Sequence, residues 1–346
     1  MNLIKLKKRL GILVAVSLST TLFLFFCNLP AGRAAEKPFK LKFAYWMPTQ
    51  HSLHRVFVKY ADEVKALTNG RVQITLYPGG ALGGAKEQWD MAVGGIADIS
   101  FFMPGYTPGR FPLTSVFDLP LIGGGTCTIN TAIAQGVFED YLEQEYKDAK
   151  MLFFFVSEAF TFHTSKKKIE TMADMKGLKI RGAGAVQSAF IKDLGGTPVT
   201  LPITEVYTSM EKGVLDGVFT AFTAMVSYRL FDVSKYSVQA GLTAAPMAVA
   251  MNEKTWNSLP PDIQKILDNL RRRYAFECGD AYDEDLKKAL KVAKSKGKVV
   301  YPLAAAELAK WKEKAEPLYD QWVADMKAKG FPGEELLGAI RQLTGK

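Results

Sequence analysis

The sequence predicts a two-domain α/β protein, each domain a β-sheet flanked by helices, with one long helix running beneath both. Three observations carry this. Strand and helix patterns alternate from Leu41 to Phe102, they alternate again from Met151 to Phe219, and the helical stretch after Ser258 is too long for a single domain. The 346 residues and 48% apolar content suffice for two cores.

Leu41 to Tyr45 reads as a first strand and Ser52 to Leu67 as a helix, stopped at Asn69-Gly70 by residues that tolerate left-handed backbone. Arg71 to Tyr77 alternates Val72, Ile74 and Leu76 on one face, the mark of a half-buried strand. Pro78-Gly79-Gly80 breaks it, Ala85 to Val93 is a short helix, and Ala97 to Phe102 a third strand. This rhythm predicts a largely parallel sheet covered by helices. The second half repeats it: strands at Met151 to Val156, Leu178 to Arg181, Thr197 to Thr200 and Leu215 to Phe219, with helices at Ala185 to Leu194 and Glu205 to Lys212. Pro246 to Met251 is an apolar strand expected to return to the first domain. Ser258 is placed to cap a helix opening at Pro260-Pro261-Asp262 and running to Ser295, with Ile263, Ile266, Leu267, Leu270 and Tyr274 on one stripe. Such a helix spans about 45 Å. The expected division is 36–158 with 246–285 for the N-terminal lobe, and 159–245 with 286–346 for the C-terminal lobe.

The first 34 residues read as an export signal. Lys5, Lys7, Lys8 and Arg9 precede an apolar run from Leu10 to Phe26, and small residues follow, with Gly32 and Ala34 at the −3 and −1 positions. Phe26 before Cys27 is too bulky for the usual lipoprotein processing. Cleavage removes Lys5, Lys7, Lys8, Arg9 and Arg33 and no acid, so the formal charge falls from +9 to +4. That modest balance argues against nucleic acid as a partner. No second apolar run reaches membrane-spanning length. Cys127 and Cys278 remain, and their spacing alone leaves open whether they pair.

The most informative stretch is Asp174-Met175-Lys176-Gly177-Leu178-Lys179-Ile180-Arg181, followed by Gly195-Gly196-Thr197-Pro198, Glu205-Val206-Tyr207 and Gly213-Val214-Leu215-Asp216-Gly217. An arginine ending a strand of an α/β sheet faces the crevice where such sheets hold ligands, and its planar fork suits a carboxylate. From position alone, Arg181 is either that clamp or half of a surface ion pair. The order of these pieces resembles the extracytoplasmic solute-binding proteins of TRAP transporters, the DctP-like family. Further matches are Gly70-Arg71-Val72, Tyr77-Pro78-Gly79-Gly80-Ala81-Leu82-Gly83, Phe111-Pro112, Leu119-Pro120, Met251-Asn252 and Trp256-Asn257-Ser258-Leu259-Pro260.

The resemblance implies a two-lobed periplasmic binding fold of type II-like architecture. It implies cleft closure on an organic acid, and delivery to a permease with a small and a large membrane subunit. It makes Arg181 the carboxylate clamp. Positions in the same pattern implied to line the pocket are Trp46, Phe101, Phe102, Met103, Tyr106, Glu158, Phe160, Thr161, Ala183, Phe219, Thr220 and Phe222. Thr161 stands where some members carry a second arginine, and Thr220 where some carry asparagine. With one cation and several rings, the expected ligand is a monocarboxylate with an apolar or aromatic body. Glu158 is either a ligand contact or an ordinary loop residue, and His163 reads as structural.

No cofactor, metal or catalytic residue is expected, and the expected state is a monomer. Gly182-Ala183-Gly184-Ala185-Val186-Gln187 imitates a dinucleotide fingerprint, but Gln187 replaces the small sixth residue. His51 and His54 have helical spacing without further ligands, and no nucleophile elbow occurs. The alternatives are a binding protein that serves a periplasmic sensor and, more remotely, a periplasmic enzyme acting on small acids.

Overall fold

The alternating apolar stretches resolve into two mixed sheets. The computed structural model describes residues 37–123 and 125–345, so the export segment expected at 1–34 lies outside the described residues. In the first half β1 (Phe39–Ala44) is followed by α1 (Ser52–Leu67), β2 (Val72–Tyr77), α2 (Gln88–Gly94), β3 (Ile99–Phe102), α3 (Cys127–Val137) and β4 (Ala149–Val156). Then come β5 (Thr161–Thr164), β6 (Lys179–Gly182), α4 (Ala185–Asp193), β7 (Thr197–Thr200), α5 (Val206–Glu211), β8 (Gly217–Thr220), α6 (Phe222–Ser227) and β9 (Tyr236–Gln239). The chain closes with β10 (Pro246–Asn252), α7 (Glu253–Ser258), α8 (Pro261–Ser295), β11 (Val299–Pro302), α9 (Ala305–Ala328) and α10 (Gly333–Thr344).

The first sheet has the order β2-β1-β3-β10-β4 and the second β11-β9-β5-β8-β6-β7. The expected return strand is therefore present, and the sheets are largely parallel as expected, except that each carries one antiparallel strand. β10 arrives from the second half and wedges between β3 and β4, antiparallel to both. β5 does the same in the second sheet, antiparallel to β8 and β9. All seven residues of β10 are buried. A strand covered on both faces reads as a continuous apolar run whichever way it points, so its direction is not written in its residues.

Two antiparallel crossings join the lobes side by side. Ser157 N–H donates to Ala245 O at 2.9 Å, and Leu242 N–H to Phe160 O at 3.0 Å. The long helix α8 has 35 residues, about 52 Å at 1.5 Å per residue. It packs on α1, α3 and β4 of the first half and on α6 and β11 of the second. Gly279 is needed there: a β-carbon would lie 3.1 Å from Thr128 Cα. The predicted Ser258 cap is not made. Ser258 ends α7 and donates back to Thr255 O, Asn252 caps α7, and α8 starts on Pro260 and Pro261 without a side-chain cap. At the carboxyl end, α10 packs on α3 and α9. Its Leu336, Leu337 and Ile340 share a core with Phe117 and Ile133.

Cys127 and Cys278 are both buried free thiols. The Cys127 thiol donates to Val156 O at 3.0 Å, and burial pushes both thiols well above their usual range. Buried, protonated thiols are poor nucleophiles. A chain starting at residue 35, which lacks Cys27, is expected when folded to be silent toward a thiol reagent and to titrate two thiols after non-reducing denaturation; fewer than two would reveal a bridge.

Candidate ligand-binding site

Strand alternation decides which side chains reach the space between the lobes. Along β6 Ile180 enters the core of the second lobe and Arg181 takes the opposite face. Arg181 is 1% exposed. Its Nε donates to Leu201 O at 2.8 Å, one terminal nitrogen to Phe219 O at 3.4 Å, and the other to the Tyr106 hydroxyl at 3.0 Å. All three partners are neutral oxygens. Of the five guanidinium N–H groups, three are engaged, which leaves one on each terminal nitrogen. Two remaining donors on neighbouring nitrogens are what a carboxylate can accept from.

Beside Arg181 lies a cavity with about 420 Å³ of space outside protein atoms, its mouth included. Trp46, Phe101, Met103 and Tyr106 line it from the first lobe, and Phe160, Arg181 and Thr220 from the second. Among the described residues no acidic side chain lines it. Trp46 packs on Phe101 with ring centroids 4.7 Å apart and on Tyr106 at 5.6 Å. The Tyr106 hydroxyl also accepts the Ile203 N–H at 3.1 Å, so it ties the end of β3 to the second lobe twice.

Six of the predicted residues stand elsewhere. Phe102 points away from Phe101, as alternation along β3 requires, and packs in the first core 4.8 Å from Trp89. The Phe219 ring stacks on Phe162 at 4.5 Å; what it turns toward the site is its carbonyl, held by Arg181. Phe222 meets the His163 ring edge-on at 4.8 Å, behind the cavity wall. Thr161 spends its hydroxyl on Val238 O at 2.5 Å within the second lobe. Ala183 is buried and gives its N–H to Gln187 Oε1 at 3.0 Å. That same Gln187 donates to Asp118 Oδ1 at 3.0 Å across the lobes, which gives the residue that breaks the dinucleotide pattern a bridging role.

Glu158 is the sixth. It sits in the crossing between β4 and β5, 1% exposed, and its Oε1 accepts the N–H of Thr223, a cavity-lining residue, at 2.8 Å. Its Oε2 is buried with no partner. Burial pushes its carboxyl up to about 8, against the Thr223 hydrogen bonds and helped by Asp283 and Asp285. His163 is buried in β5 on Ser237 at 2.8 Å, and burial lowers its ring to about 3.

The sequence reading missed lining residues that come from distant elements. His51 belongs to the N-cap of α1, Tyr228 follows α6, and Tyr282 lies mid-way along α8. No local pattern marks the last two; only the lateral packing of α8 brings them in. For His51 a signal existed: a ring nitrogen two residues before a helix N–H is placed to cap it.

The sequence pattern of the family described as bacterial extracellular solute-binding protein, family 7, matches residues 43–325. The fold is similar to a marine metagenome TRAP solute-binding protein specific for aromatic acid ligands, solved with metahydroxyphenylacetate. The TM-score is 0.84 and the identity 29%, over 88% of this chain and 98% of that one. A TRAP solute-binding protein from Rhodoferax ferrireducens T118, solved with copurified benzoate, gives 0.84 and 30%, over 88% and 97%. The C4-dicarboxylate-binding periplasmic protein DctP of Rhodobacter capsulatus is 25% identical over 318 residues, 90% of this chain and 93% of that protein. With the family pattern running through both lobes and past the arginine of β6, the chain belongs to the bacterial extracellular solute-binding proteins of family 7, the TRAP binding proteins.

Proposed function

We propose that this protein captures an organic monocarboxylate with an aromatic body in the periplasm and presents it to a TRAP permease, without turnover. The observation that carries the reading is Arg181: a buried guanidinium with one N–H to spare on each terminal nitrogen, in a cavity walled by rings and, among the described residues, free of acids. A single carboxylate satisfies that fork, and Trp46, Phe101 and Phe160 offer apolar faces to the rest of the ligand. Two structural relatives near 30% identity carry aromatic acids, which supports the same choice. A dicarboxylate, as the name of the Rhodobacter capsulatus relative suggests for that protein, would find no second cation among the residues lining this cavity.

Closure follows from contacts made only when the lobes meet. Tyr106 to Arg181, Tyr106 to Ile203 and Gln187 to Asp118 are of that kind. The bodies that move are taken as 36–158 with 246–285 and 159–245 with 286–346, turning about the paired crossings. The first 34 residues are read as the export signal, the small and large permease subunits as the partners, and the protein as a monomer.

A thermal-shift series tests the reading. Benzoate and 3-hydroxybenzoate are expected to raise the melting temperature, and succinate and galactonate to leave it in place. Ligand at a hundred times Kd stabilises the native state by about 2.7 kcal/mol. A rise confined to the dicarboxylate or the sugar acid would overturn the monocarboxylate assignment.

A further inference from the structure

We infer that His51 is a second polar contact for the ligand: a fixed neutral hydrogen-bond donor that selects aromatic acids carrying an oxygen away from their carboxylate. This rests on the aromatic-acid reading above and adds to it a specificity-determining residue.

His51 stands in extended backbone at the N-cap of α1, is 3% exposed and lines the cavity. Its Nδ1 accepts the N–H of Leu53 at 3.2 Å. A ring nitrogen that accepts a backbone proton holds none of its own, so the neutral ring must carry its proton on Nε2. The cap thus sets the tautomer. It also turns Nδ1 toward the helix and leaves Nε2 on the other side of the ring. Burial keeps the ring uncharged, holding it down to about 4; Asp285 works against this and Arg55 with it.

Among the described residues no hydrogen bond is made by Nε2, although Nδ1 is engaged. The rings packed against His51 are Tyr282, 5.5 Å away, and Tyr228, 6.3 Å away, and both line the same cavity. Arg181 is held by Leu201, Phe219 and Tyr106. The two donor groups share no hydrogen-bond partner, and both line the same cavity together with Tyr228, whose ring meets His51. A planar acid anchored at Arg181 meets aromatic wall along its body and a lone N–H at another point of its edge. A hydroxyl or carbonyl oxygen satisfies that N–H; a bare ring leaves it without an acceptor, at a cost comparable to one lost buried hydrogen bond.

The test compares wild type, His51→Asn and His51→Phe by isothermal titration with benzoate, 3-hydroxybenzoate and 4-hydroxybenzoate. Asparagine still caps a helix but is too short to carry the donor into the cavity; phenylalanine keeps the ring and lacks the donor. The wild type is expected to prefer one hydroxybenzoate over benzoate by about tenfold. In both variants the ratio of the two Kd values should fall to within about twofold. Wild type without a preference, or a preference that survives His51→Asn in a protein that still melts cooperatively, overturns the assignment of His51. Failure of all three acids to bind wild type, or binding that Arg181→Ala leaves untouched, instead removes the aromatic-acid reading on which it stands.

Discussion

Replacing Arg181 by alanine is expected to weaken the binding of an aromatic acid by tens- to thousands-fold. The carboxylate would then enter a buried, ring-lined space with its one charged partner gone, a loss of about 2–5 kcal/mol. Three neutral oxygens would lose their donor as well: the carbonyls of Leu201 and Phe219 and the hydroxyl of Tyr106. Lysine should not restore affinity. A single ammonium cannot hold both carbonyls and still offer two parallel N–H groups to a ligand. Isothermal titration of wild type, Arg181→Ala and Arg181→Lys with benzoate measures this directly. Equal affinity in wild type and Arg181→Ala would remove the clamp.

The second large effect concerns pH. Glu158→Gln is expected to stabilise the protein increasingly as pH rises from about 4.5 to about 8. The Glu158 carboxyl goes from an ordinary 4.5 to about 8 in the folded state because burial disfavours its charged form. A raised folded value means the native protein keeps a proton that the unfolded chain has already released. The stability tied to that proton is full below about pH 4.5 and is lost as pH climbs through about 8. At about 1.4 kcal/mol per unit, the loss reaches several kcal/mol. Glutamine retains an oxygen for the Thr223 N–H and carries no charge to bury, so the variant should not follow that decline. The difference between variant and wild-type melting temperatures, followed from pH 4.5 to 9, should be near zero at the acid end and widen toward the alkaline end. A flat difference would show that Glu158 is ionised in the folded protein at neutral pH. Asp118, pushed by burial up to about 7 despite its bond from Gln187, adds a slope of the same sign that remains in the variant.

The elements were legible where one residue period dominates. The apolar stripe of α1 is uninterrupted and closed by Asn69-Gly70, so its limits at Ser52 and Leu67 are those the sequence predicts. β7 and the long helix follow for the same reason. Direction was not legible: β10 is apolar at every position, and nothing in such a strand says which way it runs. The site divides along the same line. Arg181, Phe101 and Thr220 are marked by their places near strand ends, and Trp46, Met103, Tyr106 and Phe160 by the segments that follow strands. Phe102 was assigned against the two-residue alternation that sends it into the first core. Phe219 contributes a carbonyl where a ring was expected, a distinction that depends on which face of β8 is turned outward. Tyr228 and Tyr282 reach the cavity through contacts between elements far apart in the chain, and no window of sequence contains them together with Arg181.

Helix α8 grips α1, α3 and β4 on one side of the molecule and α6 and β11 on the other. A rod fastened to two jaws leaves them few independent ways to part. Sliding along it would strip its apolar stripe from one set of neighbours, and a sharp kink in it would cost backbone hydrogen bonds. On the closure proposed above, what survives is turning about the paired crossings that the rod spans. In the proposed cycle the mouth would thereby open along a single arc.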